Sequence, residues 1–310
     1  MRERDGITLI DTGYLRPGLC AAYLVEAGGR AALIDCGTAT CAQRVLDAID
    51  AAGIDRAAVD WLMVTHVHLD HAGAAGPLMR ALPNARLVVH PRGAPHMIDP
   101  TRLIAGARAV YGDAMFERDH AGMLPVPESR VVIAEDGYVV PLAGRSLLCI
   151  DTPGHALHHY SVWDADTRSW FAGDTFGLSY REFDTAAGAF VVPTTSPVQF
   201  DPEQMHRSID ILLARAPASI RVAHFGEVDD CERLGADLHE QIDAMVTITR
   251  DAADAPDRHT RIAGALRRLY TARAEAHGVD AAAARVDTVL GNDIDINAQG
   301  LAIWLERASR

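Results

Sequence analysis

Short apolar runs separated by glycine-rich turns open this chain and predict an antiparallel sheet. The runs cover residues 7–10, 21–26 and 31–34. Strands of this length, bounded by turn residues at this spacing, are typical of hairpins. A further apolar run at residues 61–64 is short enough for a buried strand, and it leads directly into a polar segment rich in histidine.

Helical spacing of apolar residues alternates with further strands along the rest of the chain. Val45, Leu46 and Ile49 predict a helix over residues 40–52, with Gly53 as its C-cap. Additional helices are expected at 77–82 and 103–111. Further strands are expected at 130–133, 138–140, 147–150, 169–172 and 219–223. After residue 228 only helical spacing remains. We therefore expect a mixed α/β catalytic domain over 1–228 and a mainly helical region over 229–310.

The segment after the run at 61–64 places His66, His68, Asp70 and His71 within six residues. Side chains alternate along an extended segment, so His66 and His68 can point the same way. Where the chain turns toward a helix, Asp70 and His71 can face a second point. Burial without partners would cost about 2–7 kcal/mol for each polar group, whereas coordination of a metal ion removes that cost. The pattern predicts a dinuclear metal centre.

The string T-H-x-H-x-D-H-A-G at residues 65–73 resembles the signature of the metallo-β-lactamase superfamily. Elements similar to I-D-x-G, T-P-G-H, G-D-T and H-x-G of that family follow the expected order at 34–37, 152–155, 173–175 and 224–226. The resemblance covers roughly residues 5 to 228. It implies a four-layered αβ/βα sandwich, in which two mixed sheets pack face to face with helices outside.

The resemblance also implies a role for each matching residue. One ion would be held by His66, His68 and His155, the second ion by Asp70, His71 and His224, and both ions by the bridging carboxylate of Asp174. A carboxylate has enough lone-pair directions to span ions about 3.5–4 Å apart. Asp35, at the end of a strand, would support the metal-binding loop by hydrogen bonding.

Charge and composition limit the classes of molecule that the chain is expected to bind. The 310 residues are 49% hydrophobic and 23% charged, with a formal net charge of −13. Such a negative field disfavours nucleic acid and anionic lipid surfaces, so a small-molecule substrate is expected. The N-terminus lacks the apolar core of a signal peptide, and no run of about 18 apolar residues predicts a membrane span. Five scattered cysteines without a C-x-x-C pair favour a reduced, cytoplasmic protein.

The implied ligand set determines the expected chemistry. Five imidazoles and two carboxylates suit two divalent metal ions, with zinc favoured and iron or manganese as alternatives. A water bridging two such ions has its pKa lowered from near 15.7 toward about 7, so hydroxide can attack a carbonyl at neutral pH. Asp70 can orient that nucleophile or pass a proton to the leaving group. The first hypothesis is therefore a dinuclear hydrolase of a small ester-type acyl bond, a thioester or a lactone.

Other activities fit less well. An iron-dependent oxidoreductase of the persulfide dioxygenase type uses one ion, whereas here Asp70, His71 and His224 could hold a second. β-Lactam hydrolysis in the periplasm would need an export signal. A tRNA-processing nuclease would need a basic surface, and flavodiiron proteins carry Glu in place of His68. A non-catalytic scaffold would have no use for buried His and Asp.

Several roles stay open at this stage. Tyr180, six residues after Asp174, could donate a hydrogen bond to the substrate or a developing oxyanion, or could simply pack in the core. His159 is expected to support the site or to pack, and His158 has no assigned role. Residues 97–130 could form a lid over the site or part of the core. The C-terminal helices could cover the mouth of the site or form a homodimer interface.

Overall fold

The structure is a computed structural model, which describes residues 2–196 and 198–308, with side chains from residue 5 onward except at 111. The chain divides into two compact units. The first unit comprises residues 1–151, 158–173 and 223–226. The second unit comprises residues 152–157, 174–222 and 227–310. The expected domain boundary at residue 228 stays a prediction.

A seven-stranded sheet lies in the first unit. Its strands, in spatial order, are β1 (Arg2–Arg4), β2 (Ile7–Asp11), β3 (Ala21–Ala27), β4 (Arg30–Ile34), β5 (Val59–Met63), β6 (Arg86–Val89) and β7 (Val131–Ile133). Strands β1 to β4 pair antiparallel, as the hairpin pattern predicted for β2 to β4. Strands β4 to β7 pair parallel, so the sheet is mixed. Strand β5, which leads into the histidine-rich segment, therefore has a paired strand on each side.

Helices of the first unit cover one face of this sheet. They are α1 (Ala42–Ala51), α2 (Leu69–Ala72), α3 (Ala75–Ala81), α4 (Ala94–Ile98), α5 (Thr101–Tyr111) and α6 (Asp113–Asp119). The predicted α1 buries Val45, Leu46 and Ile49, and Gly53 follows it with a φ of +75°. That left-handed backbone favours glycine at a helix end.

The segment 97–130 contributes to the core beneath these helices. Met97, Phe116 and Met123 are buried in the same cluster as Leu78 of α3. Met115 is instead 38% exposed. Burial of a large apolar side chain stabilises the fold by about 1.5–3 kcal/mol. These three side chains therefore act as core residues, in line with the packing alternative.

A second sheet has six strands. They are β8 (Val139–Leu142), β9 (Arg145–Asp151), β10 (Tyr160–Asp164), β11 (Ser169–Leu178), β12 (Ser219–His224) and β13 (Gly226–Val228), in the reverse spatial order, β13 to β8. Within the first unit the inner faces of the two sheets share one core, in which the rings of Tyr23 and Phe171 meet edge to face at 5.3 Å. This packing is the centre of the expected sandwich.

Helices dominate the second unit. They are α7 (Pro202–Leu213), α8 (Cys231–Asp251), α9 (Arg258–Ala276), α10 (Ala282–Val289) and α11 (Gly291–Ala308). Gly177 of β11 leaves room for α8, because a Cβ there would lie 3.0 Å from Leu238. The four-layered αβ/βα fold and its helical C-terminal portion are therefore confirmed. Within the described residues no helix has the length and apolar character of a membrane span.

Candidate metal centre

The loop after β5 brings two imidazoles together. His66 Nε2 and His68 Nδ1 lie 2.8 Å apart, and the two rings meet edge to face. His66 is fully buried, and its Nδ1 lies 3.2 Å from Thr65 Oγ1. The prediction that these two side chains point the same way is confirmed. Two ring nitrogens at this separation offer a pair of donors to one ion.

A second group of donors forms around Asp70. The short helix α2 presents Asp70 and His71, and His224 reaches the same place from the end of β12. Asp70 Oδ2 lies 3.5 Å from His71 Nε2 and 3.4 Å from His224 Nε2. All three residues belong to the first unit, although 153 residues separate His71 from His224. Three potential ligand atoms thus converge on one point.

Hydrogen bonds on the far side of each ring orient these two histidines. His224 Nδ1 lies 2.8 Å from the carbonyl oxygen of Leu19, which can only accept a hydrogen bond, so Nδ1 carries the proton. His71 Nδ1 lies 3.1 Å from Asp35 Oδ2 and is held in the same way. Nε2 is therefore the nitrogen of each ring that faces Asp70 and that an ion would bind. Metal-binding histidines have this arrangement, so the residues fit a divalent ion.

Asp35 is the anchor of the metal-binding loop. It follows β4 with a left-handed φ of +56°, a conformation that Asp tolerates better than most residues. Its Oδ1 accepts hydrogen bonds from the backbone nitrogen and the hydroxyl of Thr65, at 2.8 and 3.0 Å. Its Oδ2 contacts His71. The supporting role that the resemblance implied for Asp35 is therefore confirmed.

Asp70 is ionised at neutral pH. Burial raises the pKa of its carboxyl group, but the nearby imidazoles of His71, His224 and His68 outweigh that effect and hold the pKa well below its usual range. The side chain remains 23% exposed. An ionised carboxylate at an accessible position is the form that binds a metal ion or accepts a proton.

The second unit brings His155 and Asp174 together. His155 Nε2 lies 3.3 Å from Asp174 Oδ2, while His155 Nδ1 donates to the carbonyl of Thr194 at 3.3 Å. Gly154 permits the tight turn before His155, because its φ is +128° and a Cβ would lie 2.4 Å from Met205 N. Whether this pair shares its ions with the donors of the first unit stays a prediction.

Gly173, next to Asp174 in β11, is required by its surroundings in the first unit. Its φ is +50°, and a Cβ would lie 2.5 Å from His159 Nε2 and 2.8 Å from Thr65 Oγ1.

We expect Gly173→Ala to lower the free energy of unfolding by about 1–3 kcal/mol. Thermal denaturation would measure this loss. Gly29→Ala is the control, because Gly29 has a φ of +74° but no atom within 4 Å of an added Cβ. Equal effects of the two substitutions would contradict a steric role for the contact.

The sequence also singled out His158, His159 and Tyr180, and each of them has contacts within its own unit. The ring of His159 lies 5.0 Å from that of His66, and the ring of His158 is nearly parallel to His66 at 6.2 Å. Tyr180 is buried, with its hydroxyl 3.4 Å from Asp293 Oδ1. A catalytic role for Tyr180 stays a prediction.

Sequence reasoning missed one residue of the site, Cys20. Its Sγ donates to the backbone carbonyl of Asp70 at 3.2 Å. The thiol, a carboxylate oxygen of Asp70 and a ring nitrogen of His224 lie within 4.8 Å of one another. No sequence signal marks Cys20, because 50 residues separate it from Asp70.

Cys36 donates to the carbonyl of His71 at 3.1 Å, and burial together with the charge of Asp35 raises the pKa of its thiol well above the usual value.

Comparison with known proteins assigns the chain to a family. The family model of the metallo-β-lactamase superfamily matches residues 15–225. The chain belongs to the metallo-β-lactamase superfamily. Its fold is similar to that of a solved metallo-β-lactamase family protein from Thermus thermophilus, with a TM-score of 0.68 and 18% identity over 99% of this chain and 95% of the other. At that identity the likeness concerns the fold alone.

Three curated relatives of this superfamily member are more similar in sequence. A metallo-β-lactamase fold-containing protein of Sulfurisphaera tokodaii is 28% identical over 55% of this chain and 62% of its own length. A hydroxyacylglutathione hydrolase of Acidiphilium cryptum is 28% identical over 64% and 61%. An atrochrysone carboxyl ACP thioesterase of Aspergillus fumigatus is 27% identical over 49% and 38%. The chain therefore spans less than two thirds of each of these relatives.

Proposed function

We propose that this chain is a metal-dependent hydrolase with two divalent ions in its active site. The observation that carries the proposal is the convergence of Asp70, His71 and His224, with both imidazoles oriented by hydrogen bonds so that Nε2 faces the carboxylate. Such preorganised donors are typical of metal sites in proteins. A purely structural cluster would not require both rings to direct Nε2 at the same carboxylate.

The proposed centre uses all seven residues of the family pattern. By the family resemblance, His66, His68 and His155 would hold one ion, Asp70, His71 and His224 would hold the second, and Asp174 would contact both. This assignment extends the His155–Asp174 contact by the family resemblance. Zinc is the proposed metal, with iron or manganese as the alternatives, because the ligands are imidazoles and carboxylates.

The proposed reaction is hydrolysis of a thioester or a lactone. When bound, the ions supply a water of lowered pKa and polarise the substrate carbonyl. The water oxygen forms the new bond to the acyl carbon, and the bond from that carbon to sulfur or oxygen breaks. Asp70, ionised and partly exposed, is placed to take the proton of the water and to return it to the leaving group. The relatives named as a hydroxyacylglutathione hydrolase and a thioesterase support an acyl substrate.

A substrate and metal panel tests this proposal. The purified protein, loaded in turn with zinc, iron or manganese, would be assayed with a glutathione thioester, a lactone and a β-lactam. Oxygen uptake with glutathione persulfide would be followed in parallel. The proposal expects hydrolysis of a thioester or lactone without oxygen uptake. Oxygen consumption by the iron form, with no hydrolysis, would instead establish the dioxygenase alternative.

Tyr180→Phe tests the role predicted for its hydroxyl. If the hydroxyl donates to the developing oxyanion, we expect kcat to fall by about 10²-fold, with KM nearly unchanged. The measurement is steady-state kinetics on the best substrate of the panel. Asp293→Asn is the comparison, because Asp293 Oδ1 lies 3.4 Å from this hydroxyl. An unchanged kcat in Tyr180→Phe would leave the residue with a packing role only.

A further inference from the structure

Two histidines that meet through their Nδ1 atoms join α7 and α8 in the second unit. His206 of α7 and His239 of α8 have nearly parallel rings, with centroids 4.9 Å apart and an interplanar angle of 7°. Their Nδ1 atoms lie only 2.6 Å apart. The side chains are 26% and 28% exposed, so solvent and ions can reach both rings.

Each ring also faces a carboxylate of the opposite helix. His206 Nε2 lies 3.3 Å from Asp243 Oδ1, and His239 Nε2 lies 3.2 Å from Asp210 Oδ1. Asp210 follows His206 by four residues, and Asp243 follows His239 by four, so each helix contributes one His and one Asp on the same face. The two contacts therefore have the same composition and the same sequence spacing.

This arrangement places either a shared proton or a metal ion between the two Nδ1 atoms, which lie at hydrogen-bonding distance. When each Nε2 donates to the carboxylate that it faces, a neutral imidazole has its lone pair on Nδ1. Two lone pairs facing each other at 2.6 Å repel unless a positive species lies between them. Metal-binding imidazoles usually contact a carboxylate through their other nitrogen, and this carboxylate–imidazole pair occurs twice here.

We propose that His206 and His239 form a clamp for one borderline divalent ion such as Zn²⁺, with water completing the coordination. Two nitrogens bound tetrahedrally at about 2.0–2.1 Å would lie about 3.3 Å apart. The rings therefore need to separate by less than about 1 Å, a small shift for partly exposed side chains. This site is distinct from the candidate metal centre and shares no residue with it.

A metal ion bound by His206 and His239 would stabilise helix α7, which holds the turn before His155. The first turns of α7 hold the turn at residues 152–155, because Asp201 N donates to the carbonyl of Gly154 at 2.9 Å and Ser208 Oγ donates to that of Pro153 at 2.5 Å. His206 lies between these two contacts along the helix. Tying α7 to α8 through a metal ion would therefore reduce movement of the helix that carries this turn.

Zinc titration of matched variants tests the clamp. Isothermal calorimetry and metal analysis would compare the wild type with His206→Gln and His239→Gln. The control is His259→Gln, which removes a 43% exposed histidine of α9 that contacts one carboxylate, Asp295. We expect the wild type and the control to bind one more zinc ion per chain than either clamp variant. Asp210→Asn should weaken that extra site about tenfold or more.

Long-range nitrogen NMR of the wild-type rings provides a second measurement. Zinc should shift the Nδ1 resonances of His206 and His239, while that of His259 stays unchanged. Equal zinc binding by the wild type and His206→Gln, or Nδ1 resonances that report only a shared proton at saturating zinc, would overturn the clamp. The test depends on differences between variants, so it stands whatever number of ions the candidate metal centre holds and whatever reaction the chain catalyses.

Discussion

Replacing Asp70 by Asn is expected to lower kcat by about 10²- to 10⁴-fold and to remove the ion bound near it. The carboxylate of Asp70 lies within 3.5 Å of both His71 Nε2 and His224 Nε2. Its low pKa keeps it charged at neutral pH. The neutral amide has nearly the same shape but cannot supply the negative charge or accept the proton. Steady-state kinetics and metal analysis of the purified variant would measure both losses.

Asp60→Asn is the matched control for that substitution. Asp60 is 29% exposed, close to the 23% of Asp70, and it is paired with Arg30 in the same unit. We expect this control to retain its metal content and its activity. An Asp70→Asn protein that kept full metal content and wild-type kcat would contradict the role assigned to Asp70.

Replacing Asp164 by Ala is expected to lower the free energy of unfolding by about 3–5 kcal/mol. Asp164 and Arg145 are 0% and 5% exposed, and Arg145 Nε and Nη2 bind the two carboxylate oxygens at 3.0 and 2.5 Å. The same guanidinium also donates to the carbonyl oxygens of Asp5 and Glu26. Removing the carboxylate leaves a buried positive charge without its counter-ion, which is why the loss is large.

An exposed ion pair provides the contrast for this prediction. Asp50 and Arg56 also form a two-point contact, but their side chains are 51% and 36% exposed. Asp50→Ala should therefore destabilise the protein much less than Asp164→Ala does, because solvent screens the exposed pair. Denaturant unfolding of both variants would measure the difference. Similar losses in the two proteins would show that burial does not determine the contribution of the Arg145–Asp164 pair.

Local patterns predicted the parts of the molecule that depend on neighbouring residues. The antiparallel hairpins of β2 to β4 and the helix α1 follow from alternation and helical spacing within single segments. The side-by-side placement of His66 and His68 also follows from their spacing of two. The link from Asp35 to the metal-binding loop came from the family resemblance, and the contacts to Thr65 and His71 confirm it.

Contacts between distant segments were not accessible to the same reasoning. Helix α7 was not predicted, although Asp201 caps its start and Pro202 opens it. Cys20 reaches Asp70 only through the pairing of strands that lie far apart in sequence. The clamp of His206 and His239 depends on which faces of α7 and α8 meet, and no local spacing specifies that meeting.

Anomalous diffraction from crystals grown with zinc would test the proposed centre most directly. We expect two peaks about 3.5–4 Å apart. One should lie within about 2.0–2.2 Å of ligand atoms from Asp70, His71 and His224, and the other equally close to His66, His68 and His155. Full occupancy by a single ion, with no density beside Asp70, His71 and His224, would contradict the account.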